Sequence, residues 1–304
     1  MKKKILVIGG TGFIGVNFIK KIGFKNYDIY SFSRNKPTKL NKIKLVKYLY
    51  GDLYNQSRIK KILKGINFNY VVNLGGEINH KNKSRVYKSH YIGLKNLIDF
   101  FQNKKIEKFI QIGSSIENGN VKSPQKEIII KNSNLIQSSY GRAKNLATKK
   151  LLKINKSSKF QIIIFRLYQV YGPHQHHDRL IPFVIKNCLQ NKKFPCSEAT
   201  QLRDFIYVED VVRLIQKALQ KKNLNNYVFN IGSGYPIRVK SVIEKILKIT
   251  KRGKPLYGKI KLRRDETHSI FANITRVKKE FNWFPKTDLI NGLYKTIKFY
   301  KYFQ

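Results

Sequence analysis

The apolar run from Ile5 to Ile8, β-branched apart from Leu6, is the pattern of a strand covered on both faces in a parallel sheet. The spacing turns helical over Phe13 to Ile22, FIGVNFIKKI, and returns to a short strand pattern in YDIYSFSR, so the chain opens as strand, helix, strand. The alternation continues. NYVVNL, KFIQIGSS, FQIIIFRLY and NYVFNIGSG read as strands, and helical stretches such as YIGLKNLIDFF and YGRAKNLATKKLLK separate them. This predicts an α/β fold built on a doubly wound parallel sheet. No repeat or low-complexity linker divides the chain, so a second, smaller mixed α/β domain has to come from insertions and the C-terminal third. The expected division is 1–167, with return segments near 204–235, for the sheet domain, and 168–304 mainly for the other.

Composition changes this picture little. In a chain of 304 residues that is 41% hydrophobic, a sizeable core is affordable. The 62 Lys and Arg against 17 Asp and Glu leave a net charge of +45, which attracts anions of any kind. The basic residues are spread through every segment as pairs and triplets instead of gathering on one stretch, which argues against nucleic acid binding as the main role. Cys188 and Cys196 are too few for a disulfide framework and suggest packed thiols in a reducing compartment. The start MKKKILVIGG has too short an apolar stretch for a signal peptide, and no run is long enough to cross a bilayer. A cytoplasmic protein is expected, with no membrane partner.

The glycines of ILVIGGTGFIG carry the first chemistry. A phosphate approaches backbone amides closely only where no Cβ intrudes, and a glycine turn from a buried strand into a helix offers those amides at the positive helix end. Gly10, Gly12 and Gly15 fit G-x-G-x-x-G, and Gly9, Gly12 and Gly15 fit the wider G-x-x-G-x-x-G. The strand before and the helix after are the context that this fingerprint requires. Gly9, Gly12, Phe13, Ile14 and Gly15 are therefore the expected dinucleotide contacts. The second strand ends in Ser31-Phe32-Ser33-Arg34, with no acid there to accept from a ribose 2′-hydroxyl. Ser33 and Arg34 suit a 2′-phosphate instead, so NADP is expected over NAD, with NAD possible.

In SSYGRAKNLATKKLLK, Tyr140 and Lys144 stand four residues apart at the start of a helix and share a face. A phenol of pKa about 10 needs a shift of about three units, or about 4 kcal/mol, to work near neutrality, and a nearby cation pushes it that way. Together with GGTGFIG, GDL at Gly51 to Leu53, IGSSIENG, FRLYQVYGP, RDFIYVEDV, FNIGSG and FNWFP, this pair makes nearly the whole chain resemble the extended short-chain dehydrogenase/reductase family, in its nucleotide-sugar epimerase, dehydratase and reductase branch.

That resemblance implies a Rossmann domain, a nucleotide-sugar substrate and a homodimer. It implies that Asp52 and Leu53 flank the adenine, that Tyr140 is the acid/base, and that Lys144 holds the nicotinamide ribose and tunes the phenol. It places the third catalytic hydroxyl at Ser114, with Ser115 as the adjacent alternative and substrate contact. Arg203 would reach the substrate diphosphate, with Arg264 or its neighbour Arg263 as a second phosphate ligand.

The sequence also departs from the family pattern. A dehydratase follows the catalytic hydroxyl with a carboxylate, as Asp-Glu or Ser-Glu, whereas here Ser115 and Ile116 follow Ser114 and Glu117 comes one place later than needed. Asn118 replaces the usual Tyr, and His90 stands where Asn is common, three residues before Gly93. His174, His176 and His177 beside Asp178 have metal-ligand character, but they read as a solvated loop, so no metal is expected. The expected activity is hydride transfer at a ring carbon of a nucleotide sugar, foremost the reduction of a 4-keto group. A 4-epimerase retaining NAD is the alternative, and a non-catalytic dinucleotide sensor or an RNA-binding relative stands further off.

Overall fold

The computed structural model describes residues 2–77, 79–155, 157–262 and 266–303. The chain forms two compact units, one of residues 1–119, 127–167 and 212–229, the other of 120–126, 168–211 and 230–304.

The first unit is laid over a seven-stranded parallel sheet. In chain order its strands are β1 (Lys3–Ile8), β2 (Tyr27–Ser33), β3 (Lys47–Tyr50), β4 (Tyr70–Asn73), β5 (Lys108–Ser114), β6 (Gln161–Leu167) and a last strand, Val228–Ile231. Across the sheet, Val228–Ile231 is followed by β6, β5, β4, β1, β2 and β3. β1 is central: Ile5 pairs with Ile29 on one side and with Tyr70 on the other. Both of its faces are covered, which is why its sequence does not alternate; Ile5, Leu6 and Val7 have no exposed surface. The order reverses between β1 and β4, and in open sheets of this kind ligands bind at such a reversal, outside the carboxyl ends of the strands.

The helices that frame this edge are α1 (Phe13–Ile22), α2 (Gln56–Leu63), α3 (Lys83–Tyr87), α4 (Gly93–Phe101) and α5 (Ser139–Asn155). α1 matches the stretch predicted from spacing. α3 and α4 are joined by a π-helical turn, Lys88–Ile92, a wider winding frequent at functional sites.

The amino edge of the sheet carries a buried cation. Lys108, at the start of β5, donates to the carbonyls of Ala218 at 3.0 Å and Leu219 at 2.8 Å, and also to that of Lys221. The first two carbonyls belong to the last turn of the helix Val208–Gln220 and the third follows it, and such a helix end attracts positive charge. Burial pushes the Lys108 ammonium down to about 8.

In the second unit the strands are two or three residues long, and a buried carboxylate gathers the loops. Asp204 accepts from Ser233 N–H, Ser233 Oγ, Gly234 N–H and Ala272 N–H. Burial raises its pKa, against the pull of those donors. Among the described residues no helix is long and apolar enough to cross a membrane.

Candidate active site

The glycine turn is built by close contact. Gly9 has φ +73°, and a Cβ there would come within 2.9 Å of Gly75 Cα. A Cβ on Gly15 would stand 2.3 Å from Gly9 O and 2.6 Å from Gly10 Cα. Gly12 precedes α1, no side chain caps that helix, and its first turn holds no acid. The amides at its positive end therefore face a cavity of about 340 Å³ lined by Gly9, Thr11, Gly12, Phe13, Ile14 and Gly15 on one side. Ser33, Arg34, Asp52, Leu53, Gly75 and Gly76 line the rest. A Cβ-free cradle at an uncapped helix end fits a pyrophosphate. Gly15→Ala is expected to weaken dinucleotide binding at least tenfold in a fluorescence titration, because its methyl group forces the turn apart.

Arg34 and Ser33 sit at the cavity with partners already in place. Arg34 Nη2 donates to Glu77 Oε2 at 3.1 Å, and its Nε lies 4.0 Å from Asp52 Oδ1. Ser33 Oγ donates to Asn35 O at 3.1 Å. Burial of Glu77 opposes its ionisation, but the Asn79 N–H and the Arg34 guanidinium outweigh it and keep its pKa below the usual carboxylate value. Glu77 was not singled out from sequence, because nothing in NLGGEINH marks it as a partner 43 residues from Arg34. Leu53 is buried against α4: its carbonyl accepts from Asn96 Nδ2 at 2.9 Å, and a Cβ on Gly93 would come within 2.7 Å of its own Cβ.

Tyr140 and Lys144 lie one turn apart on α5, whose first turn is closed by Ser138 Oγ accepting from Gly141 N–H at 3.0 Å. Lys144 is buried. Its ammonium donates to Ile112 O in β5 at 2.6 Å and stands 5.9 Å from the centre of the Tyr140 ring. Burial lowers the Lys144 pKa to about 8, with the Glu117 carboxylate pulling the other way. The phenol is tied to the cavity wall through His90. A Cβ on Gly76 would strike His90 Cε1 at 1.8 Å, and the His90 ring meets Tyr140 edge-on at 5.0 Å.

Ser114 ends β5 and opens the short 3₁₀ turn Ser115–Asn118 in a capping box with Glu117. Its N–H donates to Glu117 Oε1 at 2.7 Å, and its side chain accepts from the Glu117 N–H. The hydroxyl proton stays available for donation. Ser115 is half-buried beside it. Glu117 itself is fully buried: Oε2 accepts from Thr148 Oγ1 at 2.6 Å and from Arg166 Nε at 3.0 Å.

In the second unit Arg203 is buried and spends its donors internally. Nη1 donates to Leu202 O at 2.7 Å and to His268 O at 3.2 Å, and Nη2 pairs with Glu266. A diphosphate at this guanidinium would have to displace Glu266. Arg264 and Arg263 lie outside the described residues. His176 Nδ1 and His177 Nε2 stand 3.4 and 3.3 Å from the Asp178 carboxylate oxygens, all three side chains exposed.

A profile of the NAD dependent epimerase/dehydratase family matches residues 5–232, from within β1 to beyond the last strand of the sheet. The chain belongs to that family. It is similar to a CDP-abequose synthase of Salmonella muenchen, 27% identical over 304 residues with 98% of each chain covered. It is also similar to a UDP-glucuronate 4-epimerase of Arabidopsis thaliana, 25% identical over 333 residues, covering 97% of this chain and 75% of that one. Among solved structures, the UDP-glucose 4-epimerase of Thermotoga maritima with UDP-glucose superposes with a TM-score of 0.87 at 23% identity, 99% of both chains covered. That likeness shows the shared fold.

Proposed function

We propose that this family member transfers a hydride between a nicotinamide dinucleotide and a ring carbon of a nucleotide sugar, in the direction that reduces a 4-keto group. The observation that carries the reading is the buried Lys144 ammonium, anchored on the Ile112 carbonyl one turn from the Tyr140 phenol. The glycine cradle and the uncapped start of α1 would hold the pyrophosphate, and Asp52 and Leu53 would flank the adenine. When bound, the nicotinamide supplies the electron pair; the protein's task is the proton. Lys144 favours the ionised phenol, so Tyr140 gives its proton up readily to the oxygen that gains charge. Ser114 donates to that same oxygen and stabilises it as the charge develops. Ser115 stands beside it as a substrate contact.

One further point weighs against a dehydratase. Glu117 is consumed by Ser114, Thr148 and Arg166, which leaves it no part as a dehydratase base. NADP is the proposed cofactor, through Ser33 and Arg34. A 4-epimerase reading with retained NAD is favoured by one observation: Arg34 is already paired with Glu77 and close to Asp52, which competes with a 2′-phosphate for its donors.

The experiment is incubation with CDP-, UDP- and dTDP-linked sugars, with and without a 4-keto group, and either reduced cofactor. One cofactor oxidised per 4-keto sugar consumed is expected. Interconversion of two unoxidised sugars without net cofactor consumption, by protein that purifies with NAD, would overturn the reductase reading in favour of the epimerase.

A further inference from the structure

Two imidazoles press on the ring of Tyr140. His80 lies face to face with it, centroids 4.0 Å apart and planes 14° from parallel, while His90 meets its edge at 5.0 Å and 76°. They differ in their access to protons. His90 is buried, with Nε2 3.2 Å from Glu77 O and Nδ1 enclosed without a partner. Burial first, and the Lys144 ammonium second, hold its pKa well below the usual value, so it stays neutral. His80 is exposed, and an imidazole in water changes charge between about pH 5 and 8.

We propose that His80 is a positioning residue for Tyr140: its stacked imidazole fixes the phenol in place and, on taking up a proton, makes it a stronger acid. The inference rests on the reading of Tyr140 as the proton carrier. A cation over the ring face is held by the π-electrons and favours phenolate over phenol. The groups that share this neighbourhood are Tyr140 and Lys144 from α5, His90 from the π turn, and Glu77 from the loop that carries His80. The Glu77 carboxylate is turned to Arg34 and to the Asn79 N–H. Lys81, and Lys83 and Arg85 of α3, are exposed to solvent, where salt screens them.

The test is the pH dependence of kcat/KM for reduction of a 4-keto sugar nucleotide by the wild type, His80→Phe and His80→Gln. Phe keeps a flat ring on the phenol and does not titrate; Gln does neither. The wild-type value is expected to rise about three- to tenfold as pH falls through the imidazole range, a change of up to one pH unit in proton affinity. His80→Phe should lose that rise and keep the rate of the neutral form, and His80→Gln should lose the rise and run about tenfold slower throughout. A wild-type rise retained in His80→Phe, or a His80→Gln profile identical to wild type, overturns the proposal. Tyr140→Phe, run alongside, separates the two failures: if it stays active the proton-carrier reading falls, and if it is dead while His80→Phe keeps the wild-type profile, only the role of His80 falls. Because His80 is exposed, both His80 variants are expected to melt with the wild type.

Discussion

Tyr140→Phe is expected to lower kcat roughly a thousandfold, within the range over which a positioned acid or base contributes, while KM for the sugar nucleotide and the melting temperature stay near wild type. The substitution removes one oxygen and keeps the ring that His80 and His90 contact, so the loss is one of proton transfer and not of shape. Stopped-flow measurement of a single turnover isolates that step from product release. A variant within about threefold of wild type would mean that another group moves the proton.

The second large effect is on stability. Glu117 and Arg166 form an ion pair with no exposed side-chain surface on either partner, Nε to Oε2 3.0 Å. Asn118 Oδ1 accepts from Arg166 Nη1 at 2.7 Å, and Ser114 N–H and Thr148 Oγ1 complete the carboxylate. Removing one member leaves an uncompensated buried charge, so Arg166→Met is expected to cost about 3–5 kcal/mol in urea unfolding. The double variant Glu117→Leu with Arg166→Met should recover much of that loss, since no charge is then stranded. Glu117→Ala carries a second signature. The carboxylate supports the Lys144 ammonium, and without it the Lys144 pKa falls below about 8. The charged form needed beside Tyr140 is present only below that pKa, so the alkaline fall of kcat/KM moves to lower pH.

The parts of this molecule that were legible in sequence are those in which neighbours in the chain are neighbours in space. The uniform apolar run of β1 records two covered faces, the missing side chains at Gly9, Gly12 and Gly15 record close backbone contact, and the four-residue spacing of Tyr140 and Lys144 records one helix face. β3 was not anticipated: it is an edge strand of four residues, none of them fully buried, so its sequence carries little apolar signal. The π turn at Lys88–Ile92 also left no mark, because its side chains keep a pattern compatible with ordinary helix. The partners of Arg34, Glu117 and Tyr140 were invisible for a different reason. Glu77, Arg166 and His80 are far from them along the chain, and only the folded chain brings them together.

Between the cavity at the glycine turn and the Tyr140 phenol stand a single glycine and one imidazole. Gly76 faces the cavity, His90 fills the notch behind it, and Tyr140 leans on His90. Because a Cβ on Gly76 would strike His90, any side chain placed there has to move the imidazole that Tyr140 contacts. The wall of the cavity and the setting of the phenol thus share one imidazole.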